Sequence, residues 1–223
     1  MRRRARASRS ARWCFFRPGS SGRRRPTLVQ EELLKLFAVR RGHFRFESGH
    51  HGDLWLDIPA AYIYPNRIRS YASKLARLLA VHQVDAVCGP LVEGALLAQI
   101  VAEEMGAEFY FAEQFTRTRG DVLFPIGYRI PAGLRGAVRG KRVVVVDDVI
   151  NAGSATRGAC EDLEICGARL VAIGALMVLG SRASEFAAQK CVPLEMLVHL
   201  PVSALWGPSS CPLCAAGSPL EGG

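Results

Sequence analysis

The sequence predicts an α/β fold: a doubly wound, mostly parallel sheet with a small N-terminal lobe. Two observations carry this. From residue 84 onward, short apolar runs alternate with stretches of helical periodicity, and the runs lack the in-out polarity of a half-wet sheet, so both faces must be covered. Before them, residues 43–56 show strand-like alternation interrupted by a glycine-rich turn, which suits an antiparallel pair outside the main sheet.

The elements follow in order. Leu33, Leu34, Phe37 and Ala38 fall near helical spacing and predict a short helix from Gln30 to Arg41. His43 to Phe46 and Leu54 to Leu56 read as the two strands of the lobe. Pro65 suits the first turn of a helix whose apolar face is Ile68, Tyr71, Ala72, Leu75, Leu78 and Leu79. A strand at Val84 to Cys88, a helix from Gly94 to Met105 and a strand at Glu108 to Phe111 come next. A polar excursion then runs through Arg117, Arg119, Gly120, Gly127, Pro131 and Gly133. The strand Val143 to Val146 precedes a helix from Ser154 to Cys166 that stops at Gly167, where glycine allows a left-handed cap. A strand at Leu170 to Leu179, a helix near Glu185 and a strand at Leu194 to His199 complete the pattern. The chain divides into an Arg-rich extension (1–27), the N-terminal lobe (28–64), the core (65–200) and a tail (201–223).

The formal net charge of +9 is concentrated at one end. Ten of the 29 Lys and Arg residues lie in residues 1–27, which contain no acid, leaving 19 basic against 20 acidic residues elsewhere. The folded part is therefore near neutral, which argues against nucleic acid as its partner, and the arm reads as a disordered extension. No stretch approaches the roughly 18 uninterrupted apolar residues of a membrane helix, so no membrane is expected. Seven scattered cysteines do not form a secreted disulfide framework, and a reducing cytoplasm is the expected compartment. Cys211 and Cys214, two residues apart in the tail, have the spacing of half a zinc site, with His199 and Cys191 as candidates to complete it.

Chemistry concentrates in VVVVDDVINAGSA, residues 143–155. In an open parallel sheet, ligands bind beyond the carboxyl ends of the strands, and Asp147 and Asp148 stand at such an end. In the following small-residue segment, Val149, Ile150, Asn151, Ala152, Gly153, Ser154 and Ala155, backbone N–H groups and a helix N-terminus can face an anion. Carboxylates beside a phosphate cradle would repel it unless they hold hydroxyls or a metal, and a ribose 5-phosphate satisfies both halves. Neither a Walker loop nor a dinucleotide fingerprint occurs.

These thirteen residues resemble the phosphoribosyl-pyrophosphate signature of the type I phosphoribosyltransferases, and the resemblance, from Gly42 to about Arg182, points towards orotate phosphoribosyltransferase. GHFRFESGHHGDLWLD is similar to that family's hood motif and GPLVEGALLA to its pyrophosphate loop. The resemblance implies an enzyme transferring a phosphoribosyl group to a nitrogenous base, with Mg²⁺ as cofactor, in a homodimer. It implies that Asp147 and Asp148 are catalytic, that residues 147–155 bind phosphoribosyl pyrophosphate, and that Leu91, Val92, Glu93 and Gly94 form the pyrophosphate loop, with a cis peptide between Leu91 and Val92. It also implies that Arg117 and Arg119 sit on a mobile lid and that Asn151 and Arg182 contact the base. Glu47 and Glu93 stand where orotate enzymes carry lysines, Glu113 and Gln114 where they carry an Arg-Lys pair, and Asn151 where they carry threonine. Lysine at positions 47 and 93 is therefore expected to improve orotate turnover. The alternative is a regulatory protein that binds phosphoribosyl pyrophosphate or a nucleotide without turnover.

Overall fold

The computed structural model describes residues 28–116, 126–201 and 204–222. Arg117, Arg119, Gly120 and the N-terminal extension lie outside these residues. Helix α1 (Leu28–Leu36) leads into an antiparallel hairpin, β1 (Arg40–Arg45) and β2 (His51–Trp55), which forms the hood. Helix α2 (Ile58–Tyr62) and helix α3 (Pro65–Leu79) follow. The core then runs β3 (Ala86–Pro90), α4 (Glu93–Met105), β4 (Glu108–Thr116), β5 (Ile126–Arg129), β6 (Arg142–Ile150), α5 (Ser154–Ile165), β7 (Arg169–Leu179), α6 (Arg182–Lys190) and β8 (Leu194–Leu200). A four-residue helix, α7 (Pro212–Ala215), lies in the tail.

The six-stranded sheet has the order β5-β4-β3-β6-β7-β8, parallel throughout except for β5. The expected doubly wound fold is therefore present. Alternation along β6 divides its valines between two cores. Val144 and Val146 join α3 and α4 on one side, while Val143 and Val145 join α5 and α6 on the other. At the opposite end of the sheet from the candidate site, Asp85 accepts from the Arg142 backbone N–H and from its guanidinium at 2.6 Å, fixing β3 beside β6. That guanidinium holds the Asp85 carboxyl well below the usual carboxylate range.

Several sequence expectations need adjustment. The first helix ends at Leu36 rather than Arg41, because residues 40–45 extend to pair with β2. Leu78 is exposed, although Ile68, Tyr71, Ala72, Leu75 and Leu79 form the buried face of α3. The polar excursion contains β5, whose Ile126–Arg129 ladder closes the sheet edge against β4. The strand carrying Asp147 and Asp148 continues to Ile150, so the pair lies within its final turns of pleat rather than past its end. Among the described residues, no helix is long and apolar enough to cross a membrane.

The tail folds back onto the hood. Trp206 exchanges two backbone hydrogen bonds with His51 at 2.8 Å each, and the Glu221 N–H donates to the His43 carbonyl at 2.7 Å. Gly52 permits this approach: a Cβ there would lie 2.7 Å from the Ala204 carbonyl oxygen and 2.5 Å from the Phe46 ring.

Candidate active site

Burial of the acidic pair comes directly from the strand that carries it. Asp147 and Asp148 are 8% and 4% exposed, continuing a run of valines with no exposure at all. Asp147, in phase with Val143 and Val145, accepts a 2.9 Å hydrogen bond from the Thr156 hydroxyl on α5. Asp148, in phase with Val144 and Val146, has an Oδ2 atom that is buried and has no hydrogen-bond partner. Burial pushes both carboxyls up, and for Asp148 the neighbouring Asp147 charge pushes in the same direction. Burial also raises the Tyr62 hydroxyl, helped by the charges of Asp148, Asp147 and Glu93, and this buried oxygen too lacks a partner.

Next to the pair the chain turns at Gly153, whose φ of 77° is left-handed and favours glycine, and α5 begins at Ser154 with no side-chain cap. The first N–H groups of a helix have no intrahelical acceptor, so this end presents donors and positive potential to the space above Asp147. The β3–α4 connection forms the opposite wall. Its Leu91–Val92 peptide is cis, as expected. Gly94 lets this wall approach the acidic pair, since a Cβ there would sit 2.6 Å from Asp147 Oδ1 and 2.9 Å from Pro90 Cδ.

One cleft of about 300 Å³ joins these walls to the hood, with Phe46, Glu47 and Trp55 on the hood side and Glu93, Asp147 and Asn151 on the core side. The Phe46 and Trp55 rings are stacked, with centroids 6.2 Å apart. Glu47 bridges hood and core. It accepts from the Tyr128 hydroxyl at 2.8 Å and from Gln114 Nε2 at 3.1 Å, while Gln114 also reaches the Leu91 carbonyl at 3.3 Å. Burial raises the Glu47 carboxyl, partly offset by the Tyr128 hydrogen bond. Four carboxylates, Glu47, Glu93, Asp147 and Asp148, thus border one cleft whose described lining contains no Lys or Arg. A larger recess of about 1020 Å³ lies between α1 and the hood, but the acidic pair and the helix N-terminus converge on the smaller cleft.

Some of the sequence-derived residues are placed differently. Arg182 is exposed and lines a neighbouring cavity of about 260 Å³, which shares Asn151 with the main cleft. Glu113 points away into a surface ion pair with Arg129 at 3.0 Å and is not part of the cleft lining. His199 and Cys191 do not join Cys211 and Cys214: His199 bonds the Gly180 carbonyl, and the cysteines meet His43 and His51 instead. Thr156, Tyr128, Phe46 and Trp55 were missed. Thr156 stands one residue beyond the quoted run, and only the fold brings Tyr128 to the cleft.

Residues 59–193 match the family model for the phosphoribosyl transferase domain, which spans the β3–α4 connection and residues 143–155 together. The chain belongs to the phosphoribosyltransferase family. Orotate phosphoribosyltransferase of Caldanaerobacter subterraneus subsp. tengcongensis is 30% identical over 194 residues, covering 86% of this chain and 93% of that protein. Among solved structures, orotate phosphoribosyltransferase from Aeropyrum pernix gives a TM-score of 0.59 at 24% identity, covering 78% of this chain and 94% of that one. Adenine phosphoribosyltransferase from Trypanosoma brucei, in complex with AMP, pyrophosphate and ribose-5-phosphate, gives 0.60 at 17% identity, covering 87% and 86%. Because an orotate and an adenine enzyme superpose equally well, these superpositions establish the phosphoribosyltransferase fold and leave the base to be argued from side chains.

Proposed function

We propose that this phosphoribosyltransferase moves the phosphoribosyl group of phosphoribosyl pyrophosphate onto a pyrimidine base of the orotate type. The observation that carries the reading is the uncapped N-terminus of α5 beside the buried Asp147–Asp148 pair in one cleft. The 5-phosphate sits against the backbone N–H groups of residues 152–155, where a helix N-terminus favours an anion. The ribose hydroxyls donate to Asp147 and Asp148. As the anomeric carbon loses pyrophosphate, positive charge develops on the sugar, and two fixed carboxylates stabilise it without reorganising. The base nitrogen forms the new bond to that carbon, and its proton is released. The stacked Phe46 and Trp55 rings offer an apolar wall for a planar base, and Arg182, beyond Asn151, offers a cation for an acidic substituent on it.

The cleft suits the Mg²⁺ that accompanies such substrates. An orphaned carboxylate oxygen on Asp148, with Asp147 beside it and Glu93 at the rim, provides the oxygen donors a hard cation takes. When bound, the ion would neutralise part of the pyrophosphate charge. Support for the orotate class comes from the 30% identical relative of that name. A second reading, binding without turnover, is favoured by the absence of Lys and Arg from the described lining. The deciding experiment is pyrophosphate release with phosphoribosyl pyrophosphate, Mg²⁺ and a panel of orotate, uracil, adenine and guanine. Release with orotate alone is expected. Release with a purine would overturn the base assignment, and a ligand-induced melting shift without any release would establish the second reading.

A further inference from the structure

We infer that His43, His51, Cys211 and Cys214 form a structural zinc site that clamps the C-terminal tail onto the hood. Each residue offers one ligand atom, and the four atoms lie within 4.8 Å of one another. His43 Nε2 is 3.0 Å from His51 Nδ1, 3.4 Å from Cys211 Sγ and 3.6 Å from Cys214 Sγ, and Cys214 Sγ is 3.2 Å from His51 Nδ1. A tetrahedral zinc with bonds of about 2.0–2.3 Å needs ligand separations of about 3.3–3.8 Å, so small adjustments that open the shortest pairs and close the widest would seat one ion.

The surroundings prepare the donors. His43 Nδ1 lies 2.8 Å from the Ser218 carbonyl, which can only accept, so Nδ1 carries the proton and the Nε2 lone pair faces the cluster. This is the outer-shell arrangement that orients metal-bound imidazoles. On the tail, Cys211 precedes the single turn of α7 and Cys214 lies within it. The Ala215 N–H donates to the Cys211 carbonyl at 3.1 Å, bringing both sulfurs to one side. Gly217, with φ of 70°, then turns the chain so that Ser218 meets His43.

The donor chemistry selects the ion. Two thiolates and two imidazoles without a carboxylate suit zinc and disfavour Mg²⁺ or Ca²⁺. Four protein ligands complete a tetrahedron, leaving no open position for substrate, so the site holds structure and does not catalyse. His43, His51 and Cys211 are buried, and His43 and Cys211 are 168 positions apart, so one ion would tie the end of the chain to β1 and β2.

The test starts with the full chain purified without chelator, its metal content measured by elemental mass spectrometry. About one zinc per chain is expected, falling to near zero in the Cys211→Ser, Cys214→Ser double variant. Replacing zinc with Co²⁺ should give thiolate charge-transfer absorption and tetrahedral ligand-field bands. Should the double variant fail to fold, chelation of the natural protein followed by zinc return provides the same test. Hydrogen exchange in residues 43–55 and 204–222 should quicken on chelation and recover on return, while β6 and α5 stay protected. Cys191→Ser and His199→Ala should each keep the metal. A metal-free natural chain, a Cys211–Cys214 disulfide detected by mass, or Co²⁺ bound without thiolate absorption would overturn the inference.

Discussion

The cleft beside β6 and the cluster on the hood each gather four ionisable side chains, with opposite chemistry. Glu47, Glu93, Asp147 and Asp148 present only oxygen and border an accessible space, and burial together with the neighbouring acidic charges pushes the Asp147 and Asp148 carboxyls up, so the cleft is completed by a cationic or hydroxyl-bearing guest. His43, His51, Cys211 and Cys214 present only nitrogen and sulfur and close on themselves within 4.8 Å. The first arrangement leaves a demand that substrate can satisfy repeatedly, whereas the second is satisfied once, by a part that stays. The hood serves both: its hairpin carries His43 and His51 as well as Phe46 and Glu47, so the cluster supports a wall of the cleft.

The largest test of this contrast removes the acidity of the cleft. Asp147→Asn with Asp148→Asn replaces two charged acceptors, each worth about 1.5–3 kcal/mol to a bound hydroxyl, so turnover should fall by roughly 10²–10⁴-fold. Thermal stability of the free protein should not fall, because two buried charges are removed. A natural protein held at 100 times its dissociation constant gains about 2.7 kcal/mol from ligand, and the double variant should gain nothing under the same conditions. An undiminished ligand-induced melting shift would show that the pair does not hold the substrate.

Proton linkage gives the next test, with opposite signs for free and bound protein. Burial raises the folded-state affinity of Asp147, Asp148 and Glu47 for protons, so the stability these groups contribute is present below their unfolded values and is lost as pH rises through the folded ones. The free protein should therefore lose stability from these groups between about pH 4 and 7, as Asp147 ionises. Binding of phosphoribosyl pyrophosphate with Mg²⁺ needs the ionised carboxylates, so its affinity should rise over the same range with proton release. Calorimetry in two buffers of different ionisation enthalpy would measure that release, and proton uptake would contradict the assignment. The hood cluster must be kept out of this test by chelation, because thiols and imidazoles lose protons to bind a metal and its occupancy would change over the same pH range.

Gly94→Ala examines the geometry rather than the charge. Its Cβ would press on Asp147 Oδ1 and Pro90, and overpacking at such a contact costs about 1–3 kcal/mol. Substrate affinity should fall with stability, because Asp147 must move; unchanged affinity would separate the β3–α4 wall from the acidic pair.

How far the sequence reaches differs between the two regions for a physical reason. The fold and the cleft's main elements were legible because their signals are local. A run of valines dictates a buried strand, and Asp147, Asp148 and residues 151–155 follow it within one turn. The four-residue cluster on the hood was half legible. The Cys211–Cys214 spacing showed in the sequence, but its partners depend on the tail crossing the hood, and His43 and His51 sat inside a motif already accounted for. The tail pairing through Trp206 and Glu221 has no local signature. Tyr128 was hidden because its strand, β5, lies beyond a polar stretch without apolar periodicity. Although Glu47 was singled out in the sequence, its bond to that tyrosine was not legible because it joins residues 81 positions apart.

The Glu47–Tyr128 bond separates two substitutions that the sequence treated alike. Glu47→Lys would remove the acceptor for Tyr128 and Gln114, loosening hood from core by about 1 kcal/mol or more, and should weaken substrate binding. Glu93→Lys sits at the start of α4, where it costs about 0.3–1 kcal/mol against the helix dipole but adds a cation to the pyrophosphate wall. Of the two lysines, only the one at position 93 should improve orotate turnover. Improvement by both would mean that the Glu47 bridge is dispensable.

The smallest effect is expected at Glu113, which the sequence grouped with Glu47 and Glu93. Its carboxylate pairs with Arg129 across the β4–β5 ladder, with both side chains substantially exposed, and the Arg129 guanidinium also lies 5.3 Å from the Phe115 ring centre. Exposed pairs of this kind contribute about 0.2–1 kcal/mol, and part of the guanidinium's attachment, its contact with Phe115, survives without the acid. Glu113→Gln should therefore shift the melting midpoint slightly and leave the affinity for phosphoribosyl pyrophosphate unchanged. Because the carboxylate is outside the cleft lining, its charge reaches the substrate only through screened solvent, and that screening strengthens with salt. A tighter-binding Glu113→Gln variant whose advantage persists in about 0.5 M salt would place Glu113 with the cleft and narrow the contrast between buried and surface carboxylates on which the site assignment rests.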